Sequence, residues 1–409
     1  MKDADVAIDS AVRTSYGKLV ALLARATSDL DLAEEAVADA FSDAVSAWRE
    51  SGVPDAPEAW LLTAARRRWI DRRRRAKRQH DLSDPGDLIQ PMPIGDAFPD
   101  ERLSLLFACA HPAIDPAVRT PLLLRCILGV PVEQIASAML VSPAAMKQRL
   151  TRGKAKIRDA GIRLAVPGRD ELADRLNVTL EAVYAAFNAA IDCGDLAPAG
   201  LTHEALEIAR LIAELLPNEP EAIGLLALCL YVSARFDARL DSEGRYVPLD
   251  QQDTSRWDAA TLVEAEELLR RAATFRRPGR FQIEASIQST HVERIHSGSG
   301  DWSATLRFYD LLVSLAPSLG AAVSRAAALL RAADPEICLA ELDRLPPSWG
   351  DRLNSFQPYW AVRAEALTSL GKEREANSAL TRAIGLCSSA NVREYLAAKL
   401  QSDPQSIRC

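Results

Sequence analysis

The sequence lacks the cysteine and histidine patterns that metal centres require. Its seven cysteines contain no CxxC pair, and its five histidines share no repeated ligand spacing. Cys109 and His111 could form half of a zinc site, but no second half lies at the required spacing, so a place in the core explains them better. We therefore expect buried reduced thiols, no metal and no cofactor.

Long hydrophobic runs are also absent. No uncharged run exceeds 14 residues, and one of the longest, Ala222–Ala234, has 13 residues and is bounded by Glu221 and Arg235. It is too short to span a bilayer, and it lies too deep in the chain to be a signal peptide. These absences predict a cytoplasmic protein that makes no membrane contact.

Signatures of catalysis are missing too. The chain has no glycine-rich phosphate loop, no nucleophile elbow and no paired-carboxylate arrangement. The Asp and Glu residues that are present are those expected on the solvent-exposed faces of helices. Enzyme activity is therefore the weakest interpretation of the sequence, and we expect none.

The sequence does contain enough apolar residues for two or three domains, and its charge is unevenly distributed. The 409 residues are 48% hydrophobic and 26% charged, with a net charge of −7. Residues 1–165 hold 24 Lys and Arg against 22 Asp and Glu, whereas the remainder holds 25 against 34. The cations of the first part are bunched, and bunched cations attract polyanions.

The spacing of apolar residues predicts an all-α protein. Apolar positions three and four residues apart recur through nearly the whole chain, and almost no stretch alternates as a strand would. Residues 81–100 are rich in Pro, Gly and Asp without periodicity, which predicts a flexible linker. Val166-Pro167-Gly168 predicts a hinge. The domains expected from these breaks are 1–80, 101–166 and 167–409.

Three segments of the last domain share a spacing of small and apolar residues. They are Ala205, Ile212, Pro217, Ala227 and Leu230; Thr305, Leu312, Pro317, Ala327 and Leu330; and Ala364, Leu370, Gly371, Ala376, Leu380 and Ala383. Small residues at these offsets let antiparallel helices approach closely, as in tetratricopeptide-like repeats. Because the first two segments are 100 residues apart, a repeat-like solenoid and an irregular helical bundle both remain open.

An acidic helix is the first element with a recognisable motif. Asp31-Leu32-Ala33-Glu34 has the form of a capping box, in which Asp31 would accept from the backbone N–H of Glu34. A helix starting there places Asp31, Glu35 and Asp39 on the arc opposite its alanines. That acidic arc is either a solvated face or a docking surface for a basic or helical partner.

The next helix carries a cluster of arginines. Pro57 suits its first turn. Its core stripe consists of Leu61, Leu62, Ala65 and Trp69. The cations that follow are Arg66, Arg67, Arg68, Arg72, Arg73, Arg74, Arg75, Lys77 and Arg78, with Asp71 as the single acid among them. Nucleic-acid phosphates offset such a density of one charge sign, so we predict nucleic-acid contact rather than an ordinary solvated face.

A helix-turn-helix is predicted near residue 140. Val132–Met139 forms its short first helix, and Ser142-Pro143 supplies the N-cap and first residue of the second. The outward arc of the second helix holds Lys147, Gln148, Thr151 and Arg152, and Lys154, Lys156 and Arg158 extend its positive charge. Such donors and cations suit groove reading. The alternative is a basic surface helix of an αα-hairpin.

Taken in order, these motifs resemble the sigma-70 superfamily in its short extracytoplasmic-function form, which keeps regions 2 and 4. Asp31–Trp48 resembles regions 2.1 and 2.2, and Ala59–Arg75 resembles regions 2.3 and 2.4. Arg119–Arg158 resembles region 4, with Pro143–Arg158 as its recognition helix. The rest of the chain is similar to the helical, tetratricopeptide-like extension of one subgroup of these factors, through the segments 105–112, 183–188 and 249–253 with 256–257 and, imperfectly, 241–245.

The resemblance implies a sigma factor that binds core RNA polymerase, at its β′ clamp and β flap, and promoter DNA. The residues that would bind polymerase are Asp31, Glu35 and Asp39. Those that would read the minus-ten element are Arg66, Arg67, Arg68, Arg72, Arg73, Arg74 and Arg75, with Trp60 or Trp69 supporting melting. Those that would read the minus-thirty-five element are Ser142, Lys147, Gln148, Thr151, Arg152 and Lys154.

The C-terminal domain would then modulate activity and bind a protein or peptide partner. The main alternative is a stand-alone helix-turn-helix regulator, or a repeat-bearing adaptor, that acts without polymerase. A tight footprint on DNA made by the protein alone would favour that alternative.

Overall fold

The computed structural model describes residues 2–27, 29–80, 101–139, 141–192, 201–298, 301–332, 334–387 and 389–401. Within these ranges all regular elements are helices, apart from an isolated antiparallel bridge between Leu240 and Tyr246. The all-α prediction is therefore confirmed for them, whereas the predicted linker at 81–100 lies outside them. The chain forms two compact units, Met1–Leu215 and Leu216–Cys409.

Unit 1 is a helical bundle around α5. Its described helices are α1 (Lys2–Thr27), α2 (Leu30–Ser51), α3 (Pro57–His80), α4 (Arg102–Cys109), α5 (Pro116–Leu128), α6 (Val132–Ala138), α7 (Pro143–Asp159), α8 (Arg169–Asp192) and α9 (Leu201–Leu215). Helix α1 packs against α2, α3, α4 and α5, and α5 in turn packs against α7, α8 and α9. The segments that resemble regions 2 and 4 thus share one bundle.

The capping-box prediction at the start of α2 is wrong by two residues. The N-cap is Asp29, whose side chain accepts from the backbone N–H of Leu32 at 3.1 Å. Asp29 takes this place because α1 ends at Thr27, and the Thr27 hydroxyl accepts from the Asp29 N–H at 3.2 Å, which fixes the turn. Glu34 is consequently released from capping and is buried.

Helix α8 contributes to the core of unit 1. Leu180 and Phe187 are fully buried. The Thr120 hydroxyl of α5 donates to the Ala182 carbonyl at 2.9 Å, and Arg175 donates to the Phe107 carbonyl at 2.7 Å. By these contacts α8 belongs to the bundle of the first unit, while the boundary expected at residue 167 stays a prediction.

Unit 2 is a series of helices that pack mainly on their neighbours in sequence. Its described helices are α10 (Pro220–Ser233), α11 (Ala259–Thr274), α12 (Arg280–Ser297), α13 (Ser303–Leu315), α14 (Leu319–Ala332), α15 (Pro335–Asp343), α16 (Gly350–Asn354), α17 (Gln357–Ser369), α18 (Glu373–Leu386) and α19 (Ala390–Gln401). Among the helices described in either unit, none is long and apolar enough to cross a membrane.

Candidate nucleic-acid interface

Helices α6 and α7 form the predicted helix-turn-helix. The Ser142 hydroxyl accepts from the Ala145 N–H at 3.2 Å and caps α7, which begins at Pro143. Gly153 lets α7 approach α5 closely, because a Cβ there would stand 2.7 Å from Val118 Cγ1. The motif is confirmed in the residues that the structure describes, which exclude Leu140 in the turn.

The outward face of α7 presents hydrogen-bond donors to solvent. Lys147, Gln148, Thr151 and Arg152 are all exposed. The Thr151 hydroxyl donates to the Lys147 carbonyl at 3.0 Å. Within the described part of the chain, Arg152 and Lys147 take part in no ion pair. These side chains are therefore available for base edges and phosphates, which accept hydrogen bonds.

Two of the predicted minus-thirty-five residues differ from this group. The Ser142 oxygen is used in the cap of α7, so its observed role is local. The Lys154 side chain is only 11% exposed, and its ammonium donates to Asp31 at 3.0 Å and Glu34 at 2.8 Å. Lys154 thus bonds to α2 and lies apart from the exposed donors of α7.

The arginine cluster of α3 is partly neutralised by α2. Arg72 donates to Asp39 at 2.7 Å and also pairs with Glu35, while Arg68 pairs with Asp43 through Nε at 2.7 Å. Acids four residues apart on α2 thus face arginines four residues apart on α3, as two packed helices allow. The sequence predicted that nucleic-acid phosphates balance the charge of the arginines on α3. In the structure, acidic side chains of α2 balance part of that charge.

The remaining predicted arginines fall into three groups. Arg67 and Arg74 are exposed, Arg66 is half-buried, and the side chains of Arg73 and Arg75 lie outside the described residues. The positive charges of Arg67 and Arg74 are therefore available to a polyanion. The predicted cation cluster is therefore divided between arginines that pair with α2 and arginines that form no ion pair with any residue the structure describes.

The acidic arc of α2 is present in the structure, and arginine and lysine side chains of other helices pair with its carboxylates. The side chains of Asp31, Glu35 and Asp39 are 41%, 55% and 38% exposed, and each forms an ion pair within unit 1. Asp43 belongs to the same arc and was missed, although its spacing of four residues from Asp39 could have revealed it.

The two tryptophans proposed to support melting differ in their surroundings. Trp69 is 8% exposed, as its place in the apolar stripe predicted. Trp60 is half-buried and packs edge to face on Trp48, with ring centroids 5.7 Å apart. Of the two, Trp60 has the more accessible ring.

A buried polar cluster was not predicted. Glu34 contacts Lys154, Arg125 and Cys126, which are all distant from it in sequence. Burial alone would lower the pKa of Lys154, but the charges of Glu34 and Asp31 and the nearby Cys126 thiol raise it above its ordinary value. Burial also raises the pKa of the Cys126 thiol. No local sequence signal marks such a cluster.

The cysteines that the structure describes are free thiols. Cys109, Cys126, Cys229 and Cys338 are buried, and Cys387 is half-buried. In the described ranges, no three His, Cys, Asp or Glu side chains are grouped as metal ligands.

Comparison with known proteins matches three parts of the chain. Residues 11–79 match Sigma-70 region 2, residues 104–157 match Sigma-70, region 4, and residues 175–273 match a family of unknown function (DUF6596). The chain is also similar to an uncharacterized protein of Rhizobium meliloti (strain 1021), at 35% identity over 405 residues, which cover 96% of this chain and 95% of that protein. No solved structure matches.

Proposed function

We propose that this chain, which belongs to one family with its Rhizobium meliloti relative and carries sigma-70 regions 2 and 4, directs core RNA polymerase to specific promoters. Those two regions support an RNA polymerase sigma factor. The proposal adds that initiation depends on two DNA contacts made by one polypeptide, one from α3 and one from α7.

The exposed face of α7 carries this proposal. Lys147, Gln148 and Arg152 form a row of donors on a capped helix that follows a tight turn, which suits a helix lying in the major groove. On α3, Arg67 and Arg74 are available for the minus-ten strand. Glu35 keeps enough exposed carboxylate for docking on the polymerase clamp.

The experiment that tests the function compares DNA binding with and without core polymerase. The purified full chain is mixed with core polymerase and passed over a sizing column, and the complex is then footprinted on promoter fragments. A footprint over both elements that needs core polymerase supports the proposal. A tight footprint made by the chain alone would support the stand-alone regulator instead.

We propose that unit 2 modulates the activity of the chain in transcription. We also propose that the chain is a sigma factor of the extracytoplasmic-function type and acts in the cytoplasm. The succession of neighbour-packed helices from α10 to α19 is compatible with a tetratricopeptide-like surface, and such surfaces bind peptides or proteins. Removal of this unit, followed by promoter-directed transcription, tests the role. An unchanged output at every concentration of core polymerase would contradict it.

A further inference from the structure

Four arginines of unit 2 lie close together, and we call them the Arg235 cluster: Arg235, Arg239, Arg294 and Arg331. Arg235 and Arg239 come after the end of α10, Arg294 lies on α12, and Arg331 lies on α14. Burial, together with the positive charge of Arg239, lowers the pKa of Arg235 to about 10. Burial and the charge of Arg331 likewise lower the pKa of Arg294. The cluster therefore gathers like charges that repel one another.

Arg235 is the most deeply buried member of the cluster. It is 7% exposed, its Nε donates to the Tyr231 carbonyl at 3.1 Å, and its Nη2 donates to Gln288 Oε1 at 2.6 Å. Its Nη1 has no hydrogen-bond partner among the described residues, and no described carboxylate pairs with it. A buried guanidinium without a counter-charge is costly, because arginine keeps its proton. The surroundings of Arg235 therefore favour an anion.

Other unpartnered N–H groups lie beside Arg235. Trp257 is 6% exposed, its ring centroid lies 5.9 Å from Arg235 Cζ, and its indole Nε1 has no partner in the described part of the chain. His291 is 9% exposed, and its Nδ1 is likewise unpartnered. The charges of Arg235 and Arg294 both act on His291, so these three side chains are near one another. Buried donors without acceptors are rare, and several together indicate a site for an acceptor.

The Trp302 ring orients the next arginine of the cluster. Arg294 Cζ lies 4.1 Å from the centroid of Trp302, and the His291 ring lies 5.5 Å from the same centroid. An aromatic ring that holds a guanidinium by cation–π attraction leaves its N–H groups for an acceptor. The Nε of Arg294 is in fact unpartnered among the described residues. The ring therefore fixes the position of the cation without neutralising it.

The outer side of the cluster is open to solvent and carries a displaceable carboxylate. Arg331 is exposed and Arg294 is half-buried. The exposed Asp250 carboxylate lies 3.7 Å from Arg331, and its charge also acts on Arg294. Glu365 pairs with Arg331 at 2.9 Å, whereas the other three arginines of the cluster pair with no described carboxylate. Asp250 therefore lies where an external anion would approach from solvent.

We propose that the Arg235 cluster binds a phosphate group, supplied as free phosphate or by a phosphorylated side chain, and that this group displaces Asp250 from Arg331. A phosphate on a side chain carries a charge of about −1.5 to −2 at neutral pH and offers three strong acceptor oxygens, which suits three unpaired arginines better than one carboxylate does. Guanidinium groups also match phosphate oxygens in a bidentate geometry. This site goes beyond the proposed function and uses none of the DNA contacts of unit 1.

The test measures phosphate binding by the full chain with isothermal titration calorimetry. Sodium phosphate is titrated at a constant ionic strength that sodium chloride maintains, which removes general screening as a variable. Arg294→Gln removes one cation of the cluster, and Asp250→Asn removes the competing carboxylate. The matched control is Arg374→Gln, which changes the net charge equally at an exposed position of α18. Phosphate that binds to cations of unit 1 would give the same heat in all four proteins.

We expect the two variants of the cluster to change the dissociation constant in opposite directions. Arg294→Gln should raise it at least about tenfold, Asp250→Asn should lower it about threefold or more, and the control should leave it unchanged. Equal affinity in Arg294→Gln and the control would overturn the proposal. So would the absence of saturable binding in both the native chain and Asp250→Asn. Because Asp250 is exposed, its variant remains a test if Arg294→Gln misfolds.

A second titration distinguishes the two sources of the phosphate group. A capped tripeptide that contains phosphoserine is compared with inorganic phosphate and with the same tripeptide without its phosphate. Tighter binding of the phosphopeptide than of inorganic phosphate assigns the site to a phosphorylated protein, and the reverse order assigns it to free phosphate. Equal binding of the tripeptide with and without its phosphate would contradict the proposal. Neither titration contains polymerase or DNA, so its outcome is separate from that of the proposed function.

Discussion

The side chains of α7 divide into buried anchors, exposed donors and one lysine bound to another helix. Met146, Leu150 and Ile157 are buried, whereas Gln148 and Arg152 are exposed. The division follows the helical repeat, which is why the sequence alone could predict the anchors and the donors. The exposed residues are those whose replacement should affect DNA binding and leave folding unchanged.

Arg152→Ala should weaken promoter use without destabilising unit 1. A base contact by arginine is worth about 1–3 kcal/mol, so transcription from a responsive promoter should fall about tenfold. Arg374→Ala, an exposed arginine of unit 2, is the matched control for the change in net charge. Equal transcription by both variants at limiting protein would remove Arg152 from the interface.

A second residue of interest, His291, is buried in unit 2. It is 9% exposed, its ring lies 5.5 Å from that of Trp302, and its Nδ1 has no partner among the described residues. Burial, together with the positive charges of Arg294 and Arg235, lowers its pKa to about 4. His291 is therefore neutral at ordinary pH.

The stability of unit 2 should consequently fall on acidification. An unfolded histidine takes up its proton near pH 6.5, whereas His291 in the folded unit does so only near pH 4. Stability should be constant above pH 6.5 and decrease by up to about 3 kcal/mol as the pH falls to 4. Urea midpoints for the protection of α12 amides, measured at pH 7 and 4.5, check this. An identical pH dependence in His291→Gln would contradict the assignment.

At the level of whole helices, the residues that start a helix could be predicted from the sequence, whereas contacts between residues distant in sequence could not. Ser142 and Pro143 start α7 where the sequence indicated, because a cap depends on residues within one turn. The cap of α2 was misplaced because Asp29 and Asp31 both satisfy the local pattern. The partners of Glu34 lie about 90 to 120 residues away, and no periodicity in one helix encodes them.

Helix α12 illustrates a cap supplied from another helix. Its first N–H groups would lack acceptors, since Gly279 offers no side chain. Glu221 of α10 accepts from the Phe281 N–H at 3.0 Å and from the Gln282 N–H at 3.2 Å. A Cβ on Gly279 would stand 2.2 Å from the Glu221 carboxyl carbon, so the glycine makes room for this carboxylate.

Glu221→Ala should therefore destabilise unit 2 by about 1–3 kcal/mol, because two part-buried N–H donors lose their acceptor. Glu221→Gln keeps an acceptor oxygen and should cost less. Glu267→Ala on the exposed face of α11 is the matched control. The free energy of opening is measured by hydrogen exchange of α12 amides, and equal protection in Glu221→Ala and the control would contradict the cross-helix cap.

For the molecule as a whole, the all-helical class and the order of its DNA-binding motifs followed from the sequence. The membership of α8 in unit 1 did not follow, because the Val166-Pro167-Gly168 hinge marks a bend in the chain without showing which core the next helix joins. Burial of Leu180 and Phe187 decides that question. Which core a helix joins depends on contacts with distant residues, and a local pattern does not encode them.

Two truncations distinguish these limits. A chain ending at Leu215 should keep unit 1 folded, whereas a chain ending at Pro167 should lose stability in α5, since each large apolar side chain of α8 contributes about 1.5–3 kcal/mol through burial. Hydrogen exchange of α5 amides in the two truncated chains makes the comparison. Equal protection in both would show that α8 is dispensable to the core of unit 1.

Run-off transcription tests whether this chain is a promoter-specificity subunit of RNA polymerase. Core polymerase is assayed on a library of promoter fragments with and without the purified full chain. We expect transcripts that start at defined sites only when the chain is present, and fewer of them with the Arg152→Ala variant. Core polymerase that gains no initiation from the chain on any fragment would contradict this expectation.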